Sequence, residues 1–227
     1  MTKVTAPQTG QIRVNNQRKI LQSAEFEFAR NGYKGSSLQA IAERSGLPKA
    51  NILYYYPSKL ALYEAVLDNI VMGWNVSFDH VSVDDDPAES LVGYIRDKIR
   101  FSNRNPDAAR VFTGEILHGA NILNDRFKGE ARQWLEKRVT VIQGWIDQGR
   151  MNPIDPRHLL FMIWSMTQHY VDYEAQVLYM LNRSALSQKE LDKATETIVK
   201  LVLGGCGLEV PESKRSTTQP EPVAEPG

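Results

Sequence analysis

Residues Tyr33–Leu62 read YKGSSLQAIAERSGLPKANILYYYPSKLAL, punctuated as two short helices around a tight turn with a third helix leaving. Ser36 or Ser37 is placed to cap the first helix, because a serine oxygen accepts from the orphan N–H groups of an opening turn. Leu38, Ile41 and Ala42 follow at i, i+3 and i+4, one apolar face of a short helix. Gly46 suits the left-handed exit of that helix, and Pro48 suits the first position of the next, where a missing N–H costs nothing. Ile52 and Leu53 are expected to face inward, leaving Lys49, Ala50, Asn51, Tyr54 and Tyr55 outside. Pro57-Ser58 closes this helix and caps a longer one. The pattern predicts a helix-turn-helix whose second helix enters the major groove of duplex DNA.

Lys49 and Asn51 are the candidates for base edges, since an asparagine amide offers adenine a paired donor and acceptor. Tyr54, Tyr55 and Lys59 are expected at phosphates, together with Ser36, Ser37 and the N-terminus of the short leading helix. Tyr56 is expected to pack inside. Charge agrees with this division. Residues 1–60 carry nine Lys/Arg against three acids, while the rest carries 18 basic against 24 acidic residues, so a neutral chain has a basic head and an acidic body. A polyanion should meet the head alone.

The chain has 227 residues, enough for a real core, with 42% hydrophobic and 24% charged residues, as soluble globular proteins have. No apolar run reaches the roughly 18 residues of a membrane span, and the polar N-terminus is unlike a secretory signal, so a cytoplasmic protein without membrane association is expected. Cys206 is the only cysteine, which excludes an intrachain disulfide and a cysteine-based metal site. The four histidines lack metal-ligand spacing, and no cofactor motif or Gly-rich phosphate loop occurs. Without a nucleophile–base pair or carboxylate dyad at recognisable spacing, catalysis is not expected.

Helical periodicity runs through the remaining chain, giving an all-α protein of about nine helices. The expected divisions are a disordered arm at 1–14, the DNA-binding head at 15–60, a helical ligand-binding and dimerisation body at 61–207, and a disordered Pro/Glu/Ser/Thr-rich tail at 208–227. The first helix spans about Asn16 to Arg30, closed by Asn31-Gly32. The fourth runs from Ser58 to about Phe78 with Leu60, Tyr63, Val66, Leu67, Ile70 and Trp74 inward. Asp86 and Asp155 cap the fifth and eighth helices, and Ala109, Phe112, Ile116 and Leu117 form the apolar side of the sixth. The eighth, DPRHLLFMIWSMTQHYVDYEAQVLYML, is sparsely charged and apolar on more than one face. Helices eight and nine from two copies would form a four-helix bundle, making a homodimer whose recognition helices meet a palindromic operator.

Helix eight is unusual for a core helix, because Trp164 and Gln168 share a face by the i, i+4 rule. A buried Gln amide needs partners for both its donor and its acceptor. Lys98 also falls among Tyr94, Ile95, Ile99 and Ser102 on the inward side of helix five. One explanation is a planar ligand with a donor beside an acceptor, held between these residues and Trp74. The other is hydrogen bonding across the dimer interface, with Lys98 snorkelling to solvent.

The positions Ala24, Phe28, Gly32, Ser36-Ser37, Ile41-Ala42, Gly46-Leu47, Leu53-Tyr54, Ser58-Lys59 and Leu62 together resemble the DNA-binding domain of the TetR family of transcriptional regulators. Within that family, ILYYYPSKLALYEAVL, YIRDKIRFSNRNPDAARVF, GWIDQG and NPIDPRHLLFMIWSMTQHYVDYEAQV resemble the Rut-type pyrimidine-utilisation repressors, in register from about Arg18 to Val177. The resemblance is weakest at Asn121–Val139 and after Leu178. It implies a repressor released from its operator by uracil, thymine or a related pyrimidine, with Trp74, Lys98, Trp164 and Gln168 at pocket positions. The alternative is a repressor of the same family answering to another small effector: an apolar drug, an acyl compound or a pyrimidine catabolite.

Overall fold

Five helices begin on a side chain whose oxygen takes the place of the missing helical acceptor. Ser37 accepts from Ala40 N–H, Ser58 from Ala61, Asp86 from Glu89, Asp155 from Arg157 and His158, and Ser187 from Glu190. At Ser187 the capping is reciprocal, because Glu190 accepts the Ser187 N–H at 2.8 Å. These caps set the helix register in a computed structural model that describes residues 9–123 and 125–212. Among the described residues every regular element is an α-helix. They are α1 (Thr9–Gly35), α2 (Leu38–Ser45), α3 (Lys49–Tyr55), α4 (Lys59–Asp79), α5 (Pro87–Arg104), α6 (Pro106–Leu117), α7 (Asp125–Asp147), α8 (Pro156–Asp172), α9 (Glu174–Leu181) and α10 (Gln188–Gly205).

Two hydrophobic clusters organise them. The first joins Ile20, Ala24 and Phe28 of α1, Ile41 of α2 and Ile52 of α3 to Leu62, Val66, Ile70 and Trp74 of α4, and reaches Ala108, Ala109 and Val111 of α6. The second lies among α5, α7, α8 and α10, around Leu91, Ile95, Ile142, Trp145, Leu160, Ile163 and Val199. Because α4 and α6 contribute to the same cluster as the helix-turn-helix, the head is continuous with the body rather than hung from it.

Several boundaries differ from the expectations, each for a physical reason. α1 begins at Thr9, so the expected loose arm is helical over 9–14, while residues 1–8 lie outside the described residues. Between Gly10 and Gly32 no Gly or Pro interrupts the chain, and helix propagation from a packed segment is cheap once the nucleus exists. Gly32 then breaks the run with φ 63° and ψ 175°, the conformation that only glycine takes freely. The expected eighth helix is two helices, α8 and α9, parted at Tyr173 (φ −111°, ψ 27°), which brings the total to ten among the described residues. No Gly or Pro marks that break, so periodicity ran through it. Leu53 and Leu60 are exposed at 40% and 43%, not inward, and α6 turns Ala108, Val111 and Glu115 inside while Ile116 and Leu117 face out. In short helices one residue of register rotates an apolar face by about 100°, enough to swap its sides. The expected disordered tail at 208–227 is described as far as 212, where Leu208 and Val210 pack against the second cluster, and from 213 onward it lies outside the described residues.

Candidate functional site

The head is braced by α1. Glu27 is buried on α1, where Arg44 of α2 donates to its Oε1 at 2.7 Å and Asn31 to its Oε2 at 3.1 Å. Gly46, at φ 66°, returns its N–H to the last carbonyls of α2 and aims α3 away. With Ile52 fully buried, α3 presents Lys49, Ala50, Leu53 and Tyr54 to solvent, Tyr54 being 76% exposed. Tyr55 is half-buried with its ring edge on Tyr54 at 5.1 Å between centroids, and Tyr56 packs against the core as expected. Asn51 is half-buried.

Two of the seven candidate DNA-contacting side chains are engaged inside the protein. Ser36 is buried and donates to the carbonyls of Gly32 and Glu27 at 2.7 and 3.0 Å, so it fastens the start of the motif and does not face a phosphate. Lys59 donates to the carbonyls of Tyr33 and Ser36 at 2.8 and 2.9 Å over the Tyr33 ring, which turns an expected phosphate contact into an internal clamp. Ser37 is exposed and is the α2 cap. Lys49, Asn51, Tyr54 and Tyr55 remain on the outward helix. The helix before the motif also carries exposed Arg13, Arg18 and Lys19.

In the body, Trp74, Lys98, Trp164 and Gln168, drawn from α4, α5 and α8, line one cavity of about 400 Å³. Phe112 of α6 and Trp134 and Glu130 of α7 complete its wall, with Asp68 and Asn75 one turn either side of Val71 and Met72 on α4. These five were missed; α7 fell in the stretch where the resemblance is weakest, and Asp68 and Asn75 read as ordinary surface groups of α4. The indole N–H groups are already used. Trp74 donates to Ser102 Oγ at 3.1 Å, Trp164 to the Tyr94 hydroxyl at 2.8 Å, and Trp134 to the Asp79 carboxylate. What the tryptophans offer a ligand is therefore ring surface, and directional bonding falls to the polar lining groups, among them the Lys98 amine and the Gln168 amide.

Lys98 is 3% exposed, and its ammonium lies over the rings of Trp74 at 4.6 Å and Tyr94 at 5.8 Å. Burial pushes its pKa down to about 7, opposed in part by the Asp172 carboxylate. Burial likewise raises Asp172, against a hydrogen bond from Thr113 of α6 at 3.0 Å and the charge of Lys98. Near neutral pH the amine therefore passes between a pure donor and a group that also accepts. Of the two alternatives for Lys98, snorkelling to solvent does not occur.

The regions match two families. Residues 20–66 match the bacterial regulatory proteins of the tetR family, and residues 67–209 match the C-terminal region of YcdC-like proteins. The HTH-type transcriptional regulator RutR of Escherichia coli (strain K12) is 36% identical over 188 residues, covering 83% of this chain and 89% of that protein. The nucleoid occlusion factor SlmA of Vibrio campbellii is 23% identical over 161 residues, 68% of this chain and 81% of that one. Among solved structures, the transcriptional regulator SCO4942 from Streptomyces coelicolor aligns with a TM-score of 0.65 at 20% identity, over 83% of this chain and 97% of that one. AibR, solved with isovaleryl coenzyme A and operator DNA, aligns at 0.58 and 20% identity over 82% and 97%.

Proposed function

Given that the chain belongs to the TetR family of bacterial transcriptional regulators, we propose that it is a homodimeric repressor released from a palindromic operator by uracil, thymine or a closely related pyrimidine. The observation that carries this reading is the convergence of Trp74, Lys98, Trp164 and Gln168 on a single cavity of about 400 Å³, within the range of roughly 300–1,000 Å³ usual for small-ligand sites. A pyrimidinedione is flat, with carbonyls beside ring N–H groups. The indoles supply faces, the Lys98 amine donates to a carbonyl, and the Gln168 amide pairs with an adjacent N–H and carbonyl. An acyl chain would leave both polar groups unpaired inside the cavity.

On the DNA side, Lys49 and Asn51 read base edges while Ser37, Tyr54 and Tyr55 hold phosphates. Dimerisation uses α8, α9 and α10, which leave Met162, Tyr173, Tyr179, Met180 and Leu201 54–81% exposed in the single chain. Uncovered side chains of that size on consecutive helices suit a second copy related by a two-fold axis. The coupling path is short. α4 runs from the helix-turn-helix to Trp74, and α6 carries Phe112 to the cavity and Asp107 to Arg30 of α1 at 3.2 Å. Effector binding that favours one setting of α4 and α6 by about 1–3 kcal/mol changes the spacing of the recognition helices enough to release DNA.

The test is a thermal-shift panel of uracil, thymine and their catabolites, followed by operator titrations with the compounds that bind. Uracil or thymine is expected to raise the melting temperature and to weaken operator binding. A protein that ignores every pyrimidine but responds to acyl compounds overturns the reading.

A further inference from the structure

Four charged side chains are buried among the described residues: Glu27, Lys98, Glu115 and Arg138. Glu27 is paired with Arg44 at 2.7 Å, and Arg138 donates to the carbonyls of Phe78 and Val81 where α4 ends. Lys98 opens onto the cavity already described. Glu115 opens onto another, of about 720 Å³, between the end of α1, Tyr63 of α4, α6 and the turn that follows it.

The Glu115 carboxylate accepts from the Tyr63 hydroxyl at 3.2 Å and from the Ile122 N–H at 2.6 Å, and among the described residues no ion pair reaches it. Two neutral donors leave half of a carboxylate's acceptor capacity unused, and a buried anion without a cation is costly. Burial and the Glu115 charge hold the Tyr63 phenol above its usual range, so it remains a donor. Tyr63, which touches the carboxylate, belongs to a cluster of three rings lining the same cavity: Phe28 lies 4.8 Å from Tyr63 and 6.3 Å from Tyr33, and Tyr33 lies 5.0 Å from Tyr63. A carboxylate with aromatic faces is a setting that an organic ammonium group satisfies. Two cationic side chains also line the cavity: Lys34 is exposed, and Arg110 is tied to Asp107 and Glu174.

We propose that this cleft is a second effector site that takes a small zwitterion of the amino-acid class, its ammonium on Glu115 among the rings and its carboxylate at the basic rim near Lys34. The cleft joins the last turn of α1 to α6, so its occupant adjusts the seating of the DNA-binding head on the body. The site does not rest on the pyrimidine reading, because none of its lining residues belongs to the other cavity.

Glycine, β-alanine and γ-aminobutyrate are titrated calorimetrically into the full-length protein beside propylamine and propionate. At least one amino acid is expected to bind about tenfold or more tightly than either monofunctional compound. Glu115→Gln, whose one oxygen can still accept from the Ile122 N–H while its amide donates to the Tyr63 hydroxyl oxygen, is expected to weaken that binding about tenfold or more. Gly114→Phe is a second, independent block: a Cβ at Gly114 meets nothing within 4 Å, so a ring has space to occupy the cleft. The proposal is overturned if no amino acid binds, if propylamine binds as well as the amino acids, or if both variants bind like the wild type.

Discussion

The recognition helix and the α4–α5–α8 cavity are built on opposite principles. On α3 the groups aimed outward, Lys49 and the 76% exposed Tyr54, lean on little of the protein, and their positions follow from a cap, a glycine and one buried isoleucine nearby in sequence. In the cavity Trp74 is 4% and Lys98 3% exposed, and each is held by residues from other helices. A surface that reads a partner can be altered at little cost to the fold. In a pocket made of core residues a substitution changes stability as well as ligand response, so the two are entangled there.

The largest effect that separates the regions should come from the double change Lys49→Ala with Tyr54→Ala. Each lost contact costs about 1–3 kcal/mol of operator affinity, so the pair should weaken specific binding by roughly two orders of magnitude or more. Chemical denaturation should show stability within about 0.5 kcal/mol of the wild type, as for exposed sites. A large loss of stability would mean that α3 is not the free surface described.

Lys98→Met tests the other side of the contrast. The amine's pKa falls from its ordinary 10.5 to about 7 on folding, so between those values the unfolded chain binds more protons and wild-type stability rises with pH. The cost of burying the ammonium is fully present below about pH 7 and fades toward pH 10. The variant removes it, so it should be more stable than the wild type at pH 6, by on the order of a few kcal/mol, with the gap closing as pH rises. It should also lose its response to uracil while still binding the operator. Denaturant titrations across pH showing a gap that widens with pH would contradict the burial of a charge-bearing amine.

Legibility in the sequence divided along the same line. The caps at Ser58, Asp86 and Asp155, the Gly46 turn and the burial of Lys98 and Ser102 on the inward face of α5 could be read because they depend on neighbours within one turn or on a long amphipathic period. That Trp74, Lys98, Trp164 and Gln168 share a cavity was expected from helix faces together with the family resemblance. The break at Tyr173 and the outward turn of Leu53 and Leu60 were not legible, since they are set by packing between elements and carry no local signal. The same holds for Lys59 and Ser36, whose carbonyl partners come from a turn built around Gly32. Glu115 was invisible for a related reason: the expected apolar side of α6 was rotated, which put this carboxylate outside.

Gln168→Ala should have a smaller effect than Lys98→Met, because the amide is only half-buried and its removal leaves no unpaired charge. Uracil affinity is expected to fall by about 1–3 kcal/mol, the cost of a hydrogen-bonding edge left unmatched, with operator affinity unchanged. Calorimetry that finds equal affinity in wild type and variant would remove Gln168 from the ligand's polar edge and leave Lys98 as the directional contact.

The smallest effects come from two adjacent serines that the structure sends in opposite directions. Ser36 is buried on two carbonyls, whereas Ser37 is exposed and caps α2. Each change to Ala should cost about 1 kcal/mol of stability, through a lost buried hydrogen bond in one case and a lost cap in the other. Only Ser37→Ala should also weaken operator binding, because the uncapped α2 terminus lies on the surface proposed to meet the phosphates, and the loss should shrink as salt is raised. Similar stability losses with unequal DNA losses would show that the inward and outward faces divide within two consecutive residues. If Ser36→Ala instead weakens operator binding more than Ser37→Ala, the turn around Gly32 opens on DNA, and the contrast between a free reading surface and a locked interior fails at its boundary.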